Sequence, residues 1–62
     1  MNQLEQVYKV MDSAFEQYCS NKSDINLGRA WGVAKLALEL SIITYDQFDT
    51  YIESLIWVKQ HG

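Results

Sequence analysis

The stretch Ser23-Asp24-Ile25-Asn26-Leu27-Gly28-Arg29-Ala30-Trp31-Gly32-Val33-Ala34-Lys35-Leu36-Ala37-Leu38-Glu39-Leu40 decides the fold. Ser23 or Asp24 can accept the free amides of a first helical turn. The residues behind them contain no proline, and the apolar ones are Leu27, Ala30, Trp31, Val33, Ala34, Leu36, Ala37, Leu38 and Leu40. Stepped at about 100° per residue, these wrap more than half of a helical wheel. Only a narrow strip of Gly28, Gly32, Lys35 and Glu39 stays polar or bare. A helix apolar around most of its circumference belongs between other helices, so the stretch predicts a central, most buried helix from about Ile25 to Leu40. Glycine inside a helix is less favourable than alanine by about 0.8–1 kcal/mol. Gly28 and Gly32, four residues apart, therefore predict close packing along that strip, by the first or third helix or by a partner's backbone.

Polar breaks at Asn21 to Asp24 and around Ser41 to Thr44 separate this stretch from two more segments of helical length. In the first, about Asn2 to Ser20, Leu4, Val7, Met11, Ala14 and Tyr18 recur at spacings of three and four, with Tyr8 and Phe15 widening the stripe. Glu5, Lys9, Asp12, Ser13 and Glu16 take the opposite side. The third opens with Thr44-Tyr45-Asp46-Gln47, in which Thr44 and Gln47 have the spacing of a capping box, and runs to about Lys59. Its apolar face is Tyr45, Phe48, Tyr51, Ile52, Leu55, Ile56 and Val58, and its polar face is Asp46, Asp49, Thr50, Glu53 and Ser54. The expectation is a single all-α domain over residues 1–62, a small antiparallel three-helix bundle, with a homodimer through the third helix as an open option. No repeat of fixed period and no low-complexity segment interrupts it.

A chain of 62 residues buries only about 60% of the surface its unfolded form exposes, so its core must be rich. Here 48% of residues are hydrophobic and 13% aromatic, enough for a marginal monomer or for a chain that shares part of its apolar surface with another subunit. The net charge of −3 has the wrong sign for binding phosphate, which disfavours nucleic acid. Cys19 is the only cysteine and suits a reducing cytoplasm. The start, Met1-Asn2-Gln3-Leu4-Glu5, lacks the basic and apolar regions of a secretory signal. The most apolar stretch, Val33 to Ile43, is broken by Lys35 and Glu39 and is too short to span a membrane.

Little in the sequence offers chemistry. His61, the only histidine, stands next to the last residue, where chain ends are commonly solvated. Cys19, His61 and scattered carboxylates lack the spacing of a metal site, and Gly28 and Gly32 lack the Lys-Ser or Lys-Thr signature of a phosphate-binding loop. No cofactor, metal or catalytic residue is expected, and three short helices around one core seldom enclose a cavity that excludes water.

Ala37, Ser41 and Ile43, followed by a capped helix, resemble the helix-turn-helix motif over about twenty residues, with Ala37 at its small-residue position and Ser41 at its turn. The resemblance implies a DNA-binding regulator whose recognition helix presents Asp46, Gln47, Asp49, Thr50 and Glu53. Three carboxylates facing phosphates would repel DNA, and Gln47 stands where the motif requires a buried aliphatic side chain.

Trp57 breaks the pattern. On the wheel of the third segment it falls among Asp46, Thr50 and Glu53, in the middle of the polar face. An indole in that position either lies in water or folds back through a bend after Ser54. In water it would make an anchor for a partner, because one rigid ring removes much apolar area at small entropic cost. Trp57, Asp46, Asp49, Thr50 and Glu53 are thus the candidate partner-binding residues. The expected function is a non-enzymatic protein-binding module of the cytoplasm, a regulator or inhibitor of a larger protein. Its size and acidity match small proteins encoded by bacteriophages and mobile elements, inhibitors of host defence among them. A structural oligomer subunit is the remaining alternative.

Overall fold

The computed structural model describes residues 3–61 and contains three helices: α1 (Gln3–Ser20), α2 (Asp24–Glu39) and α3 (Tyr45–His61). The expected start of the first helix at Asn2 lies outside the described residues. Of the two candidate caps for α2, Ser23 is the one in extended conformation, and its Oγ accepts the Asn26 amide at 3.2 Å. Asp24 becomes the first helical residue and puts its carboxylate at the positive end of the helix dipole. The Asn26 side chain ties the connection down by donating to the Asn21 carbonyl at 2.8 Å and the Gln17 carbonyl at 3.4 Å. The capping box of α3 is reciprocal: the Gln47 amide donates to Thr44 Oγ1 at 3.2 Å and the Thr44 amide to Gln47 Oε1 at 2.8 Å.

The end of α2 is a left-handed stop. The Ile42 amide donates to the Ala37 carbonyl at 2.9 Å and the Ser41 amide to the Leu38 carbonyl at 3.0 Å. This pair of bonds is the Schellman arrangement, which requires the residue after the cap to adopt positive φ. Ser41 occupies that place at φ 60°.

The bundle runs up, down and up. Near the first connection Arg29 of α2 donates to Gln17 Oε1 of α1, and at the far end Val7 and Val10 of α1 lie by Leu36, Ala37 and Leu40. This makes α1 and α2 antiparallel. α2 packs against both of its neighbours, so it is central in the way its apolar circumference suggests. The core consists of Met11, Ala14 and Tyr18 from α1, Ala30, Ala34 and Ala37 from α2, Ile43 from the second connection, and Ile52 and Leu55 from α3. α1 and α3 meet through Phe15 and Tyr51, whose rings are 6.0 Å apart, and through the Tyr51 hydroxyl, which donates to the Met11 carbonyl at 2.6 Å. Burial, with the Asp12 and Cys19 side chains adding negative charge nearby, pushes Tyr51 up to about 12.

Three expectations are corrected by this packing. α2 is central and the best covered of the three helices, but only its alanine line is fully buried, and its apolar circumference is not closed over. Ile25, Trp31, Leu36 and Leu40 remain exposed, since three helices provide neighbours for only two of its sides. Neither α1 nor α3 approaches the glycine strip, and a Cβ built at Gly28 or Gly32 would meet nothing within 4 Å. Tyr45 and Ile56, placed on the apolar face of the third helix, are exposed too, because both sit at the edge of the arc centred on Ile52 and Leu55.

Two outcomes follow. Ser41→Gly relieves a left-handed non-glycine residue and is expected to stabilise the fold by about 0.5–1 kcal/mol in chemical denaturation. The raised pKa of Tyr51 means that the folded state holds its phenolic proton more tightly than the unfolded chain does. That contribution is fully present below about pH 10 and is lost as pH rises through about 12. Tyr51→Phe should therefore be less stable at neutral pH, by about 1 kcal/mol for the lost hydrogen bond, and should lose less stability than the parent between these two pH values.

Candidate functional site

α3 does not bend after Ser54; it continues to His61 and holds Trp57 on its outer side. The indole is 61% exposed, and Asp46, Asp49, Thr50 and Glu53 are exposed as well. Residues 46, 50, 53 and 57 follow one another at spacings of four, three and four, which places them on one row of the helix. They form a surface with an aromatic end and an acidic remainder.

His61, expected at a solvated chain end, belongs to the site. It occupies the last turn of α3, and its imidazole stacks on the indole of Trp57 with centroids 4.7 Å apart and an interplanar angle of 21°. Its Nδ1 lies 3.1 Å from the Trp57 carbonyl, a contact in which a proton on Nδ1 is donated to the helix end. The hydrogen bond restrains the His61 ring, and the stacking lays that ring against the indole.

Beside Trp57 an open groove runs between α3 and α1, lined by Phe15, Thr50, Glu53, Ser54, Trp57 and Val58. A second shallow depression continues along the same side of α3 and reaches Met11, Asp46, Gln47, Thr50, Tyr51 and Ser54. Thr50 and Ser54 form the ridge between them, joined by the Ser54 hydroxyl donating to the Thr50 carbonyl at 2.9 Å. The structure thus brings Asp46, Thr50, Glu53 and Trp57 into one grooved surface. Asp49 lines neither depression and stands apart at its border.

Phe15 was missed as a site residue, since its spacing in α1 assigns it to the helix stripe. Only the packing of α1 against α3 turns its half-buried ring towards the groove. His61 carried a legible signal, being four residues after Trp57, where two rings on one helix face meet.

The depressions of this surface are open to water, and among the described residues no group of three His, Cys, Asp or Glu could hold a metal ion. An indole with carboxylates alongside suits a cationic or amphipathic side chain, which can stack on the ring while its charge faces Glu53 or Asp46. Among the described residues no helix is long and apolar enough to cross a membrane. No protein family, no characterised protein and no solved structure matches this chain.

Proposed function

We propose that this chain is a non-enzymatic protein-binding module of the cytoplasm, which regulates or inhibits a larger protein by docking through the outer face of α3. The observation that carries the reading is the exposed indole of Trp57, stacked on His61 in the midst of a carboxylate-bearing face. An indole left in water has a standing drive to be covered, and residues of this type dominate the energetics of protein interfaces. The grooved acidic surroundings favour a partner surface that is basic and presents a projecting side chain. Trp57 and Phe15 would bind its apolar part, and Asp46, Thr50 and Glu53 would form the rim. Asp49, at the border, would act through longer-range charge, which raises the encounter rate more than the affinity.

Direct DNA binding is the second reading, favoured by one feature, the left-handed turn at Ser41 between α2 and α3 with Ala37 buried before it. The Schellman bonds account for that turn without DNA, and Gln47, exposed, supports the capping box rather than a helix–helix contact. The outward carboxylates remain adverse to phosphate.

The test is affinity capture from a lysate of the source organism with the parent chain, Trp57→Ala and the charge-neutralised Asp46→Asn/Glu53→Gln as baits. Trp57→Ala should keep its helical content and change stability by no more than about 0.5 kcal/mol, as expected for an exposed side chain. A protein retained by the parent should be lost with Trp57→Ala and bound more weakly by the neutralised variant. Equal capture by all three would remove the assignment of this face. Salt-sensitive binding of duplex DNA without any captured protein would favour the second reading.

A further inference from the structure

A second exposed surface is the outward side of α2. It has Gly28, Gly32, Leu36 and Leu40 on one four-residue row, with Ile25 beside it, and the two leucines also border the depression shared with Val7 and Val10 of α1. Ile25 is 76% exposed and Leu36 57%, and nothing in the chain approaches the glycines. Such a face needs an occupant whose backbone can come close and whose apolar side chains lie on either side of the crossing.

Charge selects the occupant. In an antiparallel pair of identical helices related by a twofold axis, opposing residue numbers sum to a constant and each flank meets the same flank of the copy. Setting Gly28 opposite the second copy's Gly32 fixes that sum at about 60 by arithmetic on the sequence. Ile25 then lies opposite the second copy's Leu36 on one flank. Asp24 lies opposite the second copy's Lys35 on the other. Each of these pairings occurs twice. Arg29, which this register brings near its own copy, is directed away by its hydrogen bond to Gln17 Oε1 on α1. A parallel pair would instead set Asp24 on Asp24, Lys35 on Lys35 and Glu39 on Glu39.

We propose that α2 is a self-association surface, on which a second copy of this chain docks antiparallel with glycine against glycine. The contact is on the second helix and not on α3, where the sequence left a homodimer open, so it leaves Trp57 free. A 16-residue helix is about 24 Å long and about 10 Å across, which limits a face-to-face pair to the small end of specific interfaces, about 1,200 Å² in total. Each copy would contribute about 600 Å², or roughly one seventh of its 4427 Å² surface. That size suits a weak, reversible dimer with a dissociation constant on the order of micromolar to tens of micromolar. The dimer carries two Trp57 faces at once, so a partner with two sites would be held by avidity. The pairing itself does not depend on that function.

Sedimentation equilibrium of the purified chain, from about 1 µM to about 1 mM, tests it without any partner protein. The parent is expected to pass from monomer to dimer across this range, and Trp57→Ala to behave alike. Gly32→Leu fills the crossing but meets open space within its own chain, so it should stay monomeric while unfolding at a higher temperature than the parent. Lys35→Asp and Asp24→Lys should each weaken the dimer by about fivefold or more, and mixing the two should restore association, since the reversed charges then complement one another. A parent monomeric throughout the range overturns the proposal, as does a dimer indifferent to Gly32→Leu or one abolished by Trp57→Ala. Folded charge variants that fail to rescue each other overturn the antiparallel register.

Discussion

The bundle depends on the alanine line of α2. Ala30, Ala34 and Ala37 are almost completely buried, and their small side chains let larger residues from both neighbours reach the middle of the molecule: Met11 and Tyr18 from α1, Ile52 and Leu55 from α3. Larger residues at those three positions would push the helices apart, and overpacking of a tight core is as adverse as a cavity. The two connections serve this geometry. Asn26 pins the short link between α1 and α2, while the Schellman stop at Ser41 ends α2 early enough for Ile43 to turn inward and complete the core.

The same economy has a consequence at the surface. Three short helices can cover only part of one another, and a chain this size leaves a large share of its apolar residues in contact with water. Part of that surplus is gathered in two places. One portion, Ile25, Leu36 and Leu40, flanks two glycines on α2; another is Trp57, stacked on His61 in an acidic setting on α3. The first joins apolar side chains to a strip of two glycines with Lys35 and Glu39. The second is aromatic, grooved and acidic, and it is not complementary to itself. The two proposals assign these two surfaces to different occupants, a copy of the chain and a basic partner.

Much of this architecture was legible before any coordinates. Local signals at helix ends act over three or four residues, so Thr44 and Gln47 announced their capping box, Ser23 or Asp24 marked the start of α2, and the polar breaks located the connections. The exposure of Trp57 was legible for a similar reason, because a wheel records which neighbours a residue shares on its own helix. A wheel does not record how many helices surround it. α2 was rightly read as the most buried helix, but the wheel did not show that its outer half stays open, and Tyr45 and Ile56 were read as covered when they are exposed. Phe15 could not be placed beside Trp57, since that proximity arises from the packing of α1 on α3. The left-handed serine was equally hidden, as its conformation follows from the two hydrogen bonds that close α2 and not from residue type.

The functional account stands or falls on an indole that is in water while the core beneath it stays closed. Collisional quenching of Trp57 fluorescence by acrylamide, in a Trp31→Phe background so that only one indole reports, measures this most directly. The account requires emission at the long wavelength of solvated indole, with quenching at a large fraction of the rate for free tryptophan amide. Short-wavelength emission from a ring that acrylamide does not reach, at a concentration where the chain is monomeric, would place Trp57 in the interior and contradict it.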